Sequence, residues 1–192
     1  MIPLLVIRHG KTDWNAENRL QGQTDRPLSE AGRKSVESWR MPPPYAGFSC
    51  VSSPLIRATE TARILGLNPT IETALTEMSW GDWEGENWRQ LQQSLGPDVM
   101  AAHQARGLDF CPPNGESPRH VQNRLRTWLT GLSRPTVAIS HKGVLQVLYS
   151  LATGWQMTDK SGVRFSQGEG FLFQVSDGMP RLAQQNIPLG QA

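Results

Sequence analysis

Pro3-Leu4-Leu5-Val6-Ile7-Arg8-His9-Gly10 is the stretch of sequence that decides the fold. Its apolar part is too short for a helix and contains β-branched residues, so it predicts a buried strand that ends at the glycine. In open α/β sheets, ligands bind just beyond the carboxyl ends of the strands. Arg8 beside His9 at such an end indicates an anion site that contains a nucleophile. For this stretch alone, a surface turn with a solvated arginine and histidine is the alternative.

A second apolar run ends in the same way. Residues 135–140 read Pro-Thr-Val-Ala-Ile-Ser, and His141-Lys142-Gly143 follows before a helical pattern begins at Val144. Two of the four histidines therefore follow predicted strands and stand close before a glycine. Because the carboxyl ends of parallel strands share one edge of the sheet, we expect the rings of His9 and His141 to converge.

A third segment adds a second arginine. Residues 48–52 predict another strand, and Ser53 and Pro54 are typical of the N-cap and first turn of a helix that runs to about residue 65. Arg57 would then lie in the first helical turn, where backbone N–H groups and the helix dipole favour an anion. Since a structural arginine is more typical of the end of a helix, this position favours a binding role.

The remaining pattern alternates strands with helices. Asp177-Gly178 is a strong hairpin signal between strands at 170–176 and 180–184, and so predicts an antiparallel edge. The alternation predicts an α/β fold, a three-layer α/β/α sandwich with a mostly parallel central sheet and an antiparallel edge strand. A length of 192 residues fits a single domain. The other predicted elements are strands at about 70–73 and 136–140 and helices at about 29–39, 87–106, 117–132 and 144–151.

Short motifs follow one another along almost the whole chain. They are Leu5-Val6-Ile7-Arg8-His9-Gly10, Thr12-x-Trp14-Asn15, Leu20-Gln21-Gly22-Gln23-Thr24-Asp25, Pro27-Leu28-Ser29-x-x-Gly32, Ser52-Ser53-Pro54-x-x-Arg57-Ala58-x-x-Thr61-Ala62, Leu75-x-Glu77, Gly81-x-Trp83-Glu84-Gly85, Gly115-Glu116-Ser117 and Ser140-His141-x-Gly143. This ordered set resembles the histidine phosphatases, the superfamily that includes the cofactor-dependent phosphoglycerate mutases. The resemblance implies a phosphoglycerate mutase-like sandwich, one domain over residues 1–192 and a cap-like insertion at about 85–113 that selects the substrate.

By this resemblance, His9 is the nucleophile and becomes a phosphohistidine, so the transfer divides into two displacements at phosphorus. The ring must be neutral to attack, so its other nitrogen should donate to a fixed acceptor such as a backbone carbonyl. Arg8, Arg57 and His141 would bind the phosphoryl oxygens, because phosphoryl transfer is catalysed mainly by positioning and electrostatic stabilisation. The predicted substrate-binding set is completed by Asn15 and Gly143.

The leaving oxygen needs a proton, and Glu77 matches the general acid of the family. It precedes the segment Ser79-Trp80-Gly81-Asp82-Trp83-Glu84-Gly85, whose aromatic rings would desolvate the carboxyl and favour its protonated form. The same group could deprotonate water in the second step. Asp82 and Glu84 are the competing acids, and a solvated loop carboxylate is the structural alternative for Glu77.

Composition and motifs exclude several classes of protein. A formal net charge of +2 without a basic run argues against a nucleic-acid partner. Neither metal-ligand spacings nor a P-loop occur, so no metal and no cofactor are predicted. No apolar segment reaches membrane-spanning length, and the N-terminal apolar stretch is needed as a strand rather than a signal peptide. Two cysteines fit a reducing compartment, so we expect a cytoplasmic protein. The resemblance implies a small phosphate ester as its partner. A monomer and a homodimer are both compatible with the sequence.

The tryptophans are the sequence feature that bears on the substrate. Trp14, Trp80, Trp83 and Trp88 lie beside the motifs, where they could line a pocket for an apolar or aromatic leaving group or fill gaps in the core. Glu116 is expected to orient a phosphate-binding arginine.

The resemblance also separates a hydrolase from a mutase. Mutases of the family carry a longer insertion between the general acid and the second histidine, and a glutamate where this chain has Lys11. Both departures favour a metal-independent phosphomonoester hydrolase, similar to small phosphatases such as α-ribazole phosphatase. The alternatives are a cofactor-dependent phosphoglycerate mutase and a non-catalytic phospholigand-binding protein. The latter predicts an incomplete catalytic set, whereas all five matching residues are present.

Overall fold

Strand β1 (Ile2–Arg8) lies inside the central sheet, so both of its faces are covered. Residues 4–7 have no exposed surface, because successive side chains point to opposite faces and each face packs against helices. Leu4 belongs to the core on one side, and Leu5 to the core on the other. The structure, a computed structural model, describes residues 1–191.

The central sheet is mixed, as the sequence predicts. After β1, the strands are β2 (Trp39–Arg40), β3 (Ser49–Ser52), β4 (Thr70–Ile71), β5 (Thr136–Ser140), β6 (Glu169–Ser176), β7 (Met179–Pro188) and β8 (Gly190–Gln191). The order in the main sheet is β4-β3-β5-β1-β6-β7. The first four strands are parallel, and β6 and β7 are antiparallel. A mostly parallel sheet with an antiparallel edge strand is therefore confirmed.

Helices cover both faces of this sheet. They are α1 (Asp13–Ala16), α2 (Glu30–Glu37), α3 (Ile56–Ile64), α4 (Trp88–Leu95), α5 (Pro97–Ala105), α6 (Pro118–Thr130) and α7 (Lys142–Thr153). Leu125 of α6 and Leu145 of α7 pack with Leu4, whereas Val36 of α2 and Ala58 of α3 pack with Leu5 on the other face. The predicted three-layer α/β/α sandwich is confirmed. Within residues 1–191, none of the helices combines the length and the apolar character needed to cross a membrane.

The hairpin predicted at Asp177-Gly178 joins β6 to β7. Both turn residues have positive φ, 53° and 72°, which is the requirement of a type I′ turn. The second strand continues to Pro188 rather than ending at residue 184.

The single helix predicted over residues 87–106 is wrong. Helices α4 and α5 replace it, and Gly96 lies between them with a φ of 81°, a conformation that glycine adopts without a steric penalty. Pro97 then begins α5, where its missing N–H costs nothing. The predicted cap is thus built from two short helices.

Three other helix boundaries bear on the site. The N-cap of α6 is Ser117, and its hydroxyl accepts from the backbone N–H of His120. Ser53 is not the N-cap of α3; Leu55 holds that position, and the Ser53 hydroxyl accepts from the Leu55 N–H at 3.3 Å. Helix α2 stops short of residue 39 because β2 pairs with β8 from the end of the chain.

The segment that carries α4 and α5 leaves and rejoins the sandwich at one place. The Asp82 N–H donates to the Pro113 carbonyl at 3.0 Å, and the Glu116 N–H donates to the Ser79 carbonyl at 2.9 Å. Gly81 has a φ of +52°, and a Cβ there would lie 2.0 Å from the Pro113 oxygen, so this close approach requires glycine. We call the paired segments 79–82 and 113–116 the neck.

Candidate active site

The two predicted histidines meet because their strands are neighbours. Arg8 at the end of β1 pairs in register with Ser140 at the end of β5, and the His9 N–H donates to the Ser140 carbonyl at 2.9 Å. The next residue on each strand is a histidine, and the ring centroids of His9 and His141 are 5.1 Å apart. The convergence expected from the sequence is present at this edge of the sheet.

His9 is held in a single orientation by its own backbone. Its Nδ1 lies 2.6 Å from the Gly10 carbonyl oxygen. Because a carbonyl only accepts, Nδ1 carries the proton and Nε2 keeps its lone pair. The loop around the ring is fixed by two further bonds, from the Gln167 amide to the His9 carbonyl at 3.1 Å and from the Gly10 N–H to the Thr61 hydroxyl at 3.0 Å.

The surroundings of His9 keep its ring neutral. The side chain is buried, and this burial lowers its pKa well below the ordinary 6.5. The positive charges of Arg57 and Arg8 lower the pKa of His9 further, and the bond to Gly10 opposes them with a smaller effect. A neutral ring with a free Nε2 is the form of histidine that can act as a nucleophile.

Arg57 is fully buried and is held by carbonyl groups instead of acids. Its Nη2 donates to the Gly22 carbonyl at 2.6 Å and its Nη1 to the Thr24 carbonyl at 3.0 Å. Burial lowers the pKa of Arg57, and the charges of Glu77 and Asp25 oppose that shift. Within residues 1–191 its guanidinium forms no ion pair. Its positive charge is therefore available to an anion.

Arg8 leaves a donor unused. Its Nη1 donates to the Phe165 carbonyl at 3.1 Å, but its Nε is buried without a hydrogen-bond partner in the described part of the chain. Burial lowers the pKa of Arg8, and the charge of Glu77 acts against this. A buried unpaired N–H on a cation is costly unless an anion accepts from it.

His141 is buried and both of its ring nitrogens have partners. Its Nδ1 lies 3.3 Å from the Arg57 Nε, and its Nε2 lies 2.7 Å from the Ser53 hydroxyl oxygen. Burial lowers the pKa of His141 well below its ordinary value, and the charge of Arg57 lowers it further. Ser53 was expected to cap a helix, but its hydroxyl contacts His141 in the candidate site instead. Its position at the end of β3, beside the ends of β1 and β5, is the signal that could have found it.

Glu77 lies beside the cations, and its environment differs from the expected one. Its Oε1 accepts from the Met78 N–H at 2.9 Å and its Oε2 from the Gly143 N–H at 3.1 Å. Its charge raises the pKa of Arg8, Arg57 and Lys142 against the effect of their burial. Backbone donors and positive charges, more than the aromatic rings of the neighbouring segment, surround this carboxylate.

The two competing acids are engaged elsewhere. Asp82 accepts from the Asn114 amide on the surface. Glu84 accepts from the backbone N–H of Gln23 and of Thr24, both at 2.8 Å, and from the Thr24 hydroxyl at 2.5 Å. Glu84 therefore holds the loop whose carbonyls bind Arg57. The sequence offered Glu84 as an alternative acid and did not predict this positioning contact.

The remaining predicted residues lie close to the same centre, with one difference. Gly143 is needed as glycine, since a Cβ there would lie 2.4 Å from the Glu77 Oε1. Asn15 lines the cavity, and its Oδ1 accepts from the Thr12 N–H at 3.1 Å, so its amide nitrogen is the group that remains to donate. Glu116 contacts Arg124 at 3.5 Å, and neither Arg8 nor Arg57, contrary to expectation.

A cavity of about 1330 Å³ opens above this centre. Trp80 and Trp88 line it, together with Phe110, whereas Trp83 is buried and Trp14 lies beneath the Arg26 guanidinium. Within residues 1–191, no three histidine, cysteine or acidic side chains cluster in a way that could hold a metal ion. Metal independence stays a prediction.

Comparison with known proteins gives a consistent family. A family model described as the histidine phosphatase superfamily (branch 1) matches residues 4–188. Glucosyl-3-phosphoglycerate phosphatase of Mycobacterium tuberculosis is 33% identical over 163 residues, which cover 76% of this chain and 72% of that protein. Phosphoglycerate mutase-like protein 4 of Arabidopsis thaliana is 30% identical over 162 residues, covering 78% and 70% of the two chains.

Solved structures agree with these matches. A structure described as phosphoglycerate mutase from Thermus thermophilus superposes with a TM-score of 0.75 at 29% identity, covering 96% of this chain and 98% of that one. Mycobacterial glucosyl-3-phosphoglycerate phosphatase in complex with VO3 superposes with a TM-score of 0.78 at 26% identity over 100% of both chains. Since the family model extends over nearly all of the sequence and these folds superpose along its length, the chain belongs to the histidine phosphatase superfamily.

Proposed function

We propose that the protein is a metal-independent phosphomonoester hydrolase that works through a phosphohistidine on His9 and acts on a small phosphorylated metabolite. The observation that carries the proposal is the state of His9. Its Nδ1 is bound to the Gly10 carbonyl, and its free Nε2 lies in an environment that the charges of Arg8 and Arg57 make positive. Such a site favours a bound anion and a neutral nucleophile at the same place.

In the first step, the His9 Nε2 attacks phosphorus and the bond from phosphorus to the ester oxygen breaks. Arg8 and Arg57 stabilise the charge on the three equatorial oxygens. His141 joins them in the tautomer whose proton is on Nδ1, in which the Nδ1–H donates to a phosphoryl oxygen and the long bond accepted from the Arg57 Nε is given up. The Ser53 hydroxyl permits this tautomer, because it can either accept from the His141 Nε2 or donate to it.

Glu77 takes up a proton from solvent when the phosphate ester binds and gives it to the leaving oxygen, so the alcohol departs neutral. In the second step the same carboxylate takes a proton from water, and the water oxygen attacks phosphorus. The bond between phosphorus and the His9 Nε2 then breaks and inorganic phosphate is released. The contact of the Glu77 Oε2 with the Gly143 N–H supports this role, since it fixes the carboxyl at the edge of the same centre.

The first experiment measures phosphate release from a panel of phosphate esters, with EDTA present throughout. We expect wild-type turnover to be unaffected by EDTA and His9→Ala to lose about 10³-fold or more of kcat, as expected when a nucleophile is removed. Rapid quenching followed by mass spectrometry should find the phosphoryl group on His9 in the wild type only.

Thermal unfolding of His9→Ala provides the control that its fold is intact. Full activity of a folded His9→Ala protein would refute the phosphohistidine mechanism, and loss of activity in EDTA would refute metal independence. If no ester is hydrolysed, interconversion of 3-phosphoglycerate in the presence of its bisphosphate primer would identify a mutase. Binding of phosphate esters without either reaction would identify a phospholigand-binding protein.

We also propose that the chain functions in the cytoplasm and as a monomer or homodimer, with the small phosphate ester as its partner. Cys50 and Cys111 are both free thiols, which is typical of proteins in a reducing compartment. Burial raises the pKa of the Cys50 thiol to about 11, so this group is unreactive and needs no protection there.

A further inference from the structure

The cavity is far larger than a phosphate group requires. Arg8, His9 and Arg57 line part of its approximately 1330 Å³. Further lining residues lie on α4, α5 and α7, in the segment that follows Glu77 and within residues 155–160. We call three of the lining residues, Trp80, Trp88 and Phe110, the aromatic wall.

The four tryptophans beside the motifs divide into two groups. Trp83 is buried and stacks on Phe110 with ring centroids 5.7 Å apart. Trp14 packs under Arg26, 5.3 Å from the guanidinium carbon to the ring centroid. These two rings have structural partners and do not line the cavity, whereas Trp80 and Trp88 do. The core-filling explanation therefore accounts for one pair of tryptophans and not for the other.

The three rings of the aromatic wall lie close to one another. The Trp80 ring centroid lies 6.0 Å from that of Trp88 and 6.1 Å from that of Phe110. The His103 ring also lines the cavity and meets Phe110 edge-on at 5.1 Å. Within residues 1–191, the indole N–H groups of Trp80 and Trp88 form no hydrogen bond, whereas that of Trp155 donates to Asp159. The two tryptophans therefore offer a bound molecule unpaired indole N–H groups as well as ring surface.

The wall begins where the leaving group departs. Trp80 stands three residues after Glu77, and Met78 between them also lines the cavity. Because Glu77 protonates the ester oxygen in the proposed mechanism and lines the same cavity as Met78 and Trp80, a group attached to that oxygen can extend along these two side chains.

We propose that the aromatic wall binds a planar apolar leaving group, so that the substrate is a phosphate monoester of an aromatic or similarly flat alcohol. This inference rests on the proposed hydrolase function and names the class of its substrate. Aromatic groups stack face-on or edge-on to indole rings at the centroid spacings found within the wall. Within residues 1–191, the acids that line the cavity are Glu77 and Asp159, and the cations besides Arg8 and Arg57 are Lys11, Arg19, Arg89, Lys142 and Lys160. This excess of positive charge favours a leaving group that is neutral or anionic.

The test compares phenyl phosphate with 1-naphthyl phosphate, whose leaving groups have similar acidity and differ in aromatic area. We expect the wild type to prefer the naphthyl ester in kcat/KM by about three- to tenfold, the ratio that one additional aromatic contact provides. In Trp88→Ala the ratio should fall to about one, and Trp88→Phe should restore part of it. Trp128→Ala is the matched control, because this half-buried tryptophan on α6 does not line the cavity, and its ratio should equal that of the wild type.

Binding of both esters to His9→Ala by calorimetry separates the inference from the proposed function. One outcome is that the naphthyl ester binds more tightly in a Trp88-dependent manner while neither ester is hydrolysed by the wild type. This result would support recognition of aromatic groups by the wall and would refute the hydrolase proposal. A wild-type preference that Trp88→Ala retains would overturn the inference. Equal affinity of His9→Ala for the two esters would also overturn it, with the hydrolase proposal unaffected.

Discussion

His9 and Glu77 owe their chemistry to backbone groups as much as to neighbouring side chains. The Gly10 carbonyl selects the ring tautomer of His9, and the Met78 and Gly143 N–H groups aim the Glu77 carboxyl. Each of these partners lies within two residues of His9, Glu77 or His141 in the sequence. Single-residue substitutions that move the backbone partner should therefore affect catalysis without removing any reacting group.

Gly143→Ala is the sharpest substitution of this kind. The new Cβ would lie 2.4 Å from the Glu77 Oε1, so the carboxyl must move. A displacement of this size is expected to lower kcat about 100-fold. The loss should be largest for esters with poor leaving groups, which need the proton most, and small for 4-nitrophenyl phosphate.

Gly131→Ala is the matched control, because a Cβ there lies 3.5 Å from the Trp128 carbonyl oxygen in ordinary contact. Steady-state kinetics of the two variants on an alkyl and an aryl ester provide the measurement. An equal loss of kcat on both esters in Gly143→Ala would show that the defect does not lie in proton transfer.

The residues at the ends of strands could be predicted, but their supporting contacts could not. Arg8, His9 and His141 follow apolar runs whose pairing places them at one edge. Gln167 carries no comparable signal, because its bond to the His9 carbonyl spans 158 positions of the chain. Ser53 follows a predicted strand, but its bond to His141 spans 88 positions. Long-range hydrogen bonds of this kind become visible only when the fold is known.

Among the elements, strands and the hairpin followed the sequence closely, whereas the helices of the cap did not. Alternating or continuous apolar runs define strands locally, and Asp177-Gly178 defines a turn by its dihedral requirement. The amphipathic pattern over residues 87–106 is compatible with one helix, and Gly96-Pro97 interrupts it in a way that helical periodicity does not register. At Gly96-Pro97, the glycine and proline decide where the helix ends, although the apolar periodicity continues through them.

The loop over residues 20–25 is the element on which the position of Arg57 depends. Two of its carbonyls bind the guanidinium, and Glu84 accepts from two of its N–H groups. In Glu84→Gln, one carboxylate oxygen becomes an amide that cannot accept. We expect the free energy of unfolding to fall by about 1–3 kcal/mol, the range for lost hydrogen bonds to a charged group. Affinity for inorganic phosphate should fall in the same variant because Arg57 loses its support.

Asp82→Asn is the companion variant, since the Asp82 carboxylate bonds only to Asn114 within residues 1–191 and lies on the surface. Urea unfolding and calorimetric phosphate titration would compare the two variants. A Glu84→Gln protein that is destabilised but binds phosphate normally would refute the link between this loop and Arg57.

At the scale of the whole molecule, two buried neutral histidines make stability depend on pH. The pKa of His9 and of His141 is lowered well below 6.5 in the folded protein, chiefly by burial. Below about pH 6.5, the unfolded chain binds protons that the folded one does not, so folding is disfavoured as the pH falls. The free energy of unfolding should decrease by up to about 1.4 kcal/mol per pH unit for each of the two histidines and be unaffected by them above pH 6.5.

Urea unfolding of the wild type and of His9→Asn between pH 5 and 6.5 provides the measurement. In His9→Asn, the part of the change in the free energy of unfolding per pH unit that the two histidines cause should be roughly halved, because His141 still resists protonation. Identical slopes in the two proteins would mean that His9 does not remain neutral in the folded state.

The neck has a consequence for how enzymes of this shape diversify. Because the chain enters and leaves at paired segments held by two backbone hydrogen bonds, the stretch between them can be treated as a replaceable module. The sheet edge that holds Arg8, His9 and His141 is built outside that module. In the proposed hydrolase, an exchange of the two helices that keeps Glu84, which holds the loop that binds Arg57, would therefore change which alcohol is recognised and leave the phosphate-binding residues in place, a route to new specificities by exchange of parts.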